Sequence, residues 1–552
     1  MSDAFDVCVI GSGAGGGPVA MTLAEAGYRV VILEKGPWYT RKDFRKDEVV
    51  TGRRAMFVPK REDEPHVWDK DFPDGRQAWL TRDGWNAVCV GGATNVMSGF
   101  FLRMKPIDFR LKSEFGPVEG STVEDWPITY EDLAPYYAKV EQVVGVSGRH
   151  VEHPWADRRA GGFPFEPTSE HPFAAQVDET CRQMGLHAFP VPRAILSEDT
   201  ADRRQCNYSG YCASYGCTTG AKGSSREALL PRALSTKRAE LRFGCSVTGI
   251  RTDETSRAFA ADYVDADGRP RRVEARVFVV ACNPIESARL LLLSPGVKHP
   301  KGLANGSLQV GHNLMFSTFG AAFGDFPYAR FEKSRPWLRS DEVWVNRGVQ
   351  DFYLLDGKEK GGTISFLLNH PNPIQAAINE AVFGGEVYFG QELKRRLARY
   401  FKETQHLRFE VFADYTPTPE GRVLLDPGTL DRHGLPAARV RIVRHPRDKS
   451  VAERVTAEGR KILERMGAEN IRGPEVGGES TNLIAGTCRF GTNPATSVLD
   501  PSCRAWDCEN LYVTDASCMP TGGSVPYTFT VYANAFRVAD KIVERLGGPR
   551  SD

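Results

Sequence analysis

No stretch of this chain stays apolar over the roughly 18 residues that cross a bilayer. No charge sign dominates either: 71 Lys and Arg stand against 70 Asp and Glu, a net charge of +1. That balance carries no nucleic-acid or anionic-membrane footprint. Twelve cysteines in 552 residues are too few for a disulfide scaffold. Nine of them are scattered and read as small buried side chains. The opening, MSDAFDVCVIGSGAGGG, has no basic n-region, apolar h-region or cleavage site. The expectation is therefore a cytoplasmic protein, with export as a folded passenger on a signal-bearing partner subunit as the alternative. Internal repeats and low-complexity tracts are also missing.

What is present is enough chain for one large core and a second, with 41% hydrophobic and 26% charged residues, as in ordinary globular proteins. Residues 5–10, FDVCVI, form a short apolar run typical of a buried parallel strand. A glycine turn follows, then PVAMTLAEAG reads as a helix ending at Gly27, and YRVVILEKG as a second buried strand. Strand, turn, helix and strand within about thirty residues make the βαβ unit of a doubly wound sheet. Residues 40–85 read as a long charged excursion and 145–172 as a Pro- and Gly-rich crossing. Strand patterns recur at 272–281, 406–415 and 422–427, and 450–467 has helical spacing. The end of the chain reads as a strand, a loop and a helix.

Gly11, Gly13 and Gly16 fit G-x-G-x-x-G. The first glycine permits the tight turn, the second lets the backbone approach a diphosphate, and the third lets helix and strand pack closely. The helix N-terminus offers free N–H groups to the phosphates. Glu34, at the end of the second strand, is placed to accept hydrogen bonds from ribose hydroxyls. This much suits FAD and NAD alike.

Further segments separate the two. Val90-Gly91-Gly92-Ala93-Thr94-Asn95 resembles the second glycine motif of the glucose–methanol–choline (GMC) oxidoreductases. VVACNPIESARLLLLS (279–294), GTCRFG (486–491), NLYVTDASCMP (510–520) and TFTVYANAFRVADKI (528–542) resemble later elements of that family, in the family's order from residue 5 to 545. The resemblance implies that Gly11, Gly13, Ala14, Gly16 and Glu34 hold the ADP part of FAD. It implies that Gly92, Thr94 and Asn95 touch the flavin or its diphosphate. Val247 would contact the adenine, and Asp515 and Ala516 would lie near the diphosphate and isoalloxazine. More narrowly, QCNYSGYCASYGCTTGA (205–221) resembles a segment of the flavoprotein subunits of bacterial gluconate, fructose and glucose dehydrogenases. There it implies an iron–sulfur cluster, commonly of three irons, with a small subunit and a cytochrome or quinone acceptor as partners.

The residues of that segment are Cys206, Cys212 and Cys217, spaced C-x5-C-x4-C. Three thiolates on a Gly-rich loop suit a three-iron core. The last spacing is one residue longer than in the dehydrogenase subunits. A disulfide with a spare thiol, a zinc site completed by a remote His, and three unrelated thiols stay open.

Flavin-linked alcohol oxidation needs a base for the hydroxyl proton. At the family's two catalytic positions, usually His and His or Asn, this chain has Leu483 and Pro526. Neither accepts a proton. Asn482 and Tyr527 adjoin them and are the candidate substitutes, although a phenol with a pKa of about 10 is a weak base at neutral pH. Other readings are a remote His such as His312 or His370, different chemistry on a C=C or C–C bond, or mere packing roles for Asn482 and Tyr527. The expected fold is α/β (α+β overall). It comprises a doubly wound, Rossmann-like FAD-binding domain from residues 1–115, 222–318 and 476–552, a cysteine-containing insertion at 116–221, and a substrate domain with an antiparallel sheet at 319–475. The expected function is oxidation of a sugar, polyol or other alcohol by hydride transfer to FAD.

Overall fold

The structure is a computed structural model that describes residues 5–51, 56–70, 79–81, 84–159, 161–474 and 476–550. Strand β1 (Phe5–Ile10) is wholly buried and pairs in parallel with β2 (Val30–Glu34). Helix α1 (Gly16–Glu25) makes the crossover and turns eight buried side chains or glycines to the sheet and its neighbours. Beyond β2 lies the parallel strand Ala239–Phe243. On the other side of β1 lies the C-terminal half of the long strand Pro270–Val280, and beyond that Leu511–Val513. All five run parallel, and helices such as α1 cover them, so β1, β2 and Leu511–Val513 are continuous apolar runs rather than alternating ones, while Ala239–Phe243 at the edge is polar and partly exposed. The front half of Pro270–Val280 pairs instead with the antiparallel strand Ala258–Val264, which pairs in turn with Ser246–Thr252. There the pattern alternates, because one face is exposed.

The chain's ends meet on this sheet. Arg550 reaches both oxygens of Asp6, at 2.8 and 2.9 Å, and Tyr28 donates to Gly548 O at 2.6 Å. The C-terminal helix Thr528–Arg545 packs between α1 and the helix Tyr130–Val144. The latter starts at Thr129, whose hydroxyl accepts from Asp132 N in a capping box.

A second sheet is antiparallel. Its long central strands are Met315–Pro327 and Thr404–Ala413, followed by Gly362–Leu367, Arg347–Val349 and Ala188–Pro190. On its other edge Met315–Pro327 pairs with Glu469–Arg472 and Glu479–Ala485. The helix Pro446–Arg465 covers one face, matching the helical spacing read at 450–467.

The excursion at 40–85 is more ordered than its composition predicts. His66–Lys70 pairs in parallel with Pro436–Ile442 and antiparallel with Trp79–Thr81. His66 meets Ala438 across more than 370 residues, and no local pattern announces such a pairing.

Candidate active site

One cavity of about 370 Å³ lies between the two sheets. The parallel sheet presents the first glycine turn, Glu34, the turn Ala281–Pro284, and Asp515 with Ala516. The antiparallel sheet presents Phe319, Glu410, Phe412, Ser480, Asn482 and Leu483. Gly92, Thr94, Val247, Pro526 and Tyr527 complete the wall.

The glycines divide by what surrounds them. Gly11 has φ +99°, and a Cβ there would lie 2.3 Å from Ala281 O. A Cβ on Gly16 would lie 1.9 Å from Gly11 O. These two are required by the packing itself. A Cβ on Gly13 would instead meet nothing closer than Gly92 Cα at 3.8 Å. A methyl there would sit in ordinary contact with the facing second glycine turn, so packing within the chain does not demand a glycine at this mouth of α1. Ala14 lines the same mouth. Backbone N–H groups at a helix start, opposite a second turn, fit a diphosphate.

Glu34 is buried, and its carboxylate accepts from Ser12 N and Oγ at Oε2 and from Gly36 N at Oε1, at 3.1, 2.6 and 2.8 Å. Burial raises its pKa, and these bonds oppose the rise. The Ser12 hydroxyl also accepts from Gly91 N at 2.9 Å, tying the two glycine turns together. Thr94 lines the cavity and accepts from Ser225 N at 3.0 Å. Asn95 is turned away: its Nδ2 donates to Val90 O and Gly92 O, and its Oδ1 accepts from Arg226. It is not part of the cavity wall. Asp515 has both oxygens occupied, by Asn283 N and Ser287 on one side and the Ser517 amide and hydroxyl on the other. Burial raises its pKa as well. Val247, opposite Tyr263 in its hairpin, lines the cavity beside Cys245 and Ser246.

Several wall residues went unread in the sequence. A Cβ on Gly15 would lie 2.8 Å from Asp515 N, so this glycine lets the C-terminal strand close on α1. Lys35, Glu64, Glu286, Arg289 and Asp431 form a charged chain along the parallel-sheet side. Burial works against the Glu286 carboxylate, yet Lys35 and Arg289 hold it well below the ordinary value. Its members come from four separate segments, and only the i,i+3 pair Glu286 and Arg289 on the helix Pro284–Leu292 is local.

Leu483 and Pro526 both face the cavity, as do Asn482 and Tyr527. Asn482 is exposed on the strand Glu479–Ala485. Tyr527 is buried, and its hydroxyl has no hydrogen-bond partner. Burial, then the charge of Asp414, pushes its pKa well above the usual phenol value. Asp414 is half-buried, its two carboxylate oxygens are shut off from solvent with neither hydrogen-bonded, and Lys360 Nζ stands 3.7 Å from Oδ2. Burial raises Asp414 to about 6. Lys360 is also paired with Asp108 at 2.9 Å, and Tyr353 donates to Asp108 at 2.6 Å. His312 and His370 do not reach the cavity wall. His370 is engaged with Gly210 O at 2.9 Å, and His312 sits in a bridge to Arg422. The histidine that does line the cavity is His433, on the turn with Asp431 and Leu435.

Cys206, Cys212 and Cys217 are free thiols around one small pocket of about 30 Å³, shared with Lys46, Lys222 and Trp344. No disulfide joins them. Among the described residues, no three His, Cys, Asp or Glu side chains are grouped to hold a metal ion, so these thiols do not form a ligand set as placed. Arg193 links the two pockets. Its guanidinium lies 4.3 Å from the Phe100 ring centre, on the main cavity, and 4.1 Å from that of Trp344, on the thiol pocket. Burial lowers its pKa to about 10.

Comparison with known proteins agrees with this geometry. The family model for an FAD binding domain matches residues 6–40, and those for GMC oxidoreductases match residues 87–318 and 417–535. A 2-methyl-1,2-propanediol dehydrogenase of Mycolicibacterium austroafricanum is 31% identical over 99% of this chain and 96% of its own. A gluconate 2-dehydrogenase flavoprotein of Pantoea cypripedii is 25% identical over 98% of this chain and 94% of its own. Among solved structures, a formate oxidase of Aspergillus oryzae superposes with a TM-score of 0.66 over 99% of both chains, at 15% identity. The chain belongs to the GMC oxidoreductase family, and it is an FAD-dependent oxidoreductase.

Proposed function

We propose that this enzyme oxidises a hydroxyl-bearing carbon of a small polyol, sugar or related alcohol to a carbonyl. The observation that carries the reading is the single cavity in which the diphosphate cradle of the parallel sheet meets the polar patch Ser480, Asn482 and Tyr527. The whole-length relative named for a diol supports the substrate class. FAD, when bound, supplies the acceptor for the hydride that leaves the carbon. The protein must then take the hydroxyl proton.

Tyr527 holds its own proton too firmly to act as a reservoir. It can take the substrate's proton only by passing its own inward. Asp414, ionised above about pH 6, is the buried carboxylate whose charge already acts on Tyr527. Lys360 holds that charge in place from 3.7 Å. In this scheme the proton moves from substrate oxygen to the Tyr527 oxygen as the phenol proton moves to Asp414, which requires the Tyr527 hydroxyl to shift on substrate binding because it makes no hydrogen bond as placed, and Asn482 orients the substrate hydroxyl by hydrogen bonding.

The finer reading sends the electrons onward through an iron–sulfur cluster on Cys206, Cys212 and Cys217 to a partner subunit, cytochrome or quinone. Its support is their spacing and their shared pocket beside two lysines. Loading with iron would require the segment to draw the thiols together. A rival reading, action on a C=C or C–C bond, rests on Leu483 and Pro526. The deciding experiment is anaerobic mixing of the yellow protein with 1,2-diols, sugars and enones, with an iron assay on the same sample. Bleaching of the flavin band by a diol or sugar supports the proposal. Bleaching by no diol or sugar, with reoxidation of the dithionite-reduced flavin by an enone, sinks it.

A further inference from the structure

The segment Pro373–Glu403 leaves the antiparallel sheet between Gly362–Leu367 and Thr404–Ala413 and returns to it. It contains the helix Pro373–Ala381, a two-stranded hairpin of Val382–Phe383 and Glu386–Val387, and the helix Gly390–Ala398. Ala376 is the only buried residue in the whole segment. The second helix buries no side chain at all. Nine-residue helices are marginal in water unless an apolar face is packed. The described residues bury almost none of this element.

Its surface is apolar where it projects furthest. Phe389 is 81% exposed, Val387 67% and Val382 54%, and Ile378, Phe383 and Phe401 stand out beside them. Large apolar side chains gathered in one patch mark an interaction site. Flanking them are Lys394, Arg399 and Lys402, which have no acidic partner within 4 Å among the described residues. Their neighbours Arg395 and Arg396 are paired, with Glu392 and Glu380. The even overall charge of the chain conceals this local excess.

We propose that this hairpin docks the enzyme on an anionic lipid bilayer surface. Projecting aromatic and aliphatic tips enter the headgroup region, and unpaired cations beside them meet lipid phosphates, which is the pattern of interfacial anchoring. A bilayer accepts a convex tip without a matching groove. Nothing here spans the membrane: no helix among the described residues is long and apolar enough. The root of the element packs on the thiol segment, where Tyr215 donates to Asn372 and His370 meets Gly210 O. Docking would therefore turn that segment toward the bilayer. The proposal does not depend on the reaction assigned above.

The test is co-sedimentation of the full-length flavoprotein with phosphatidylcholine vesicles, with and without phosphatidylglycerol, at low and high salt. Binding is expected to be about tenfold stronger with phosphatidylglycerol and to weaken at high salt. The double variant Val387→Ser, Phe389→Ser should lose binding about tenfold with an unchanged melting temperature. Lys394→Glu, which removes no apolar contact, should weaken binding to the anionic vesicles alone. Failure of the wild type to sediment, or equal binding by the variants, overturns the proposal. A wild-type dimer that the double variant converts to monomer, without vesicle binding, assigns the hairpin to a second copy and overturns it too.

Discussion

Ser12 gives both its amide and its hydroxyl to a single oxygen of Glu34, at 3.1 and 2.6 Å. The same hydroxyl accepts from Gly91 N, so one small side chain couples the buried acid at the end of β2 to the second glycine turn. Ser12→Ala leaves a buried carboxylate and a buried amide each one bond short. FAD affinity should fall about tenfold and stability by about 1–3 kcal/mol. Flavin fluorescence during titration of the apoprotein measures the first, and urea unfolding the second.

Gly13 and Gly16 should separate cleanly. Gly16→Ala places a Cβ 1.9 Å from Gly11 O, so the protein should lose stability by more than about 2 kcal/mol or fail to fold. Gly13→Ala meets only ordinary contacts, so it should fold with an unchanged far-UV spectrum yet purify colourless. A yellow, fully active Gly13→Ala protein would contradict the placement of the diphosphate.

Tyr527→Phe and Asp414→Asn should each lower turnover by about 10²-fold while flavin content stays unchanged. The wild-type rate should rise with pH through about 6, as Asp414 loses its proton. Asp414→Asn should lack that limb. If instead the limb persists in Asp414→Asn, the proton goes elsewhere, and Glu410 on the cavity wall is the next group to replace.

Asp448 gives a test confined to stability. It is buried beneath the hydroxyl and amide of Thr416, and burial raises its pKa from the ordinary carboxylate value to about 6. The folded state therefore binds this proton more tightly than the unfolded chain. Its contribution favours folding below the unfolded value and is lost as pH climbs to about 6. The loss is on the order of 2 kcal/mol. Urea unfolding of wild type and Asp448→Asn between pH 4 and 7 should show a steeper decline in the wild type.

Leu483→His restores a proton acceptor at a family catalytic position on the cavity wall. It should raise alcohol oxidation in a Tyr527→Phe background by about tenfold. No gain would favour the reading in which the enzyme does not act on alcohols, and the substrate screen then decides.

The nucleotide half of the molecule was legible because its information is local. FDVCVI, the glycine turn and Glu34 lie within thirty residues, and their spacing alone implies strand, helix mouth and acid. The later flavin motifs were legible through resemblance, at the level of segments. Side-chain direction was not: Asn95 belongs to the second glycine motif, yet its amide holds its own turn together. Nor was the charged chain from Lys35 to Asp431, whose members meet only after the fold forms. Tyr527 was read from its position beside Pro526, but Asp414, just after the strand Thr404–Ala413, and Lys360, in the strand Glu359–Lys360, come from distant segments, and no spacing reveals them. The cysteine spacing was legible, and the thiols do share a pocket, but spacing did not fix how closely they converge.

Gly15 O accepts from Thr514 Oγ1 at 3.0 Å, and the strand Leu511–Val513 closes the parallel sheet. These partners are separated by almost the full length of the chain. At about 5–20 residues per second, a ribosome needs about 25 to 100 seconds to travel from one to the other. Throughout that interval the first strand and helix have been synthesised without the neighbour that completes them. The sheet that carries the first glycine turn is therefore completed only when synthesis of the chain is almost over.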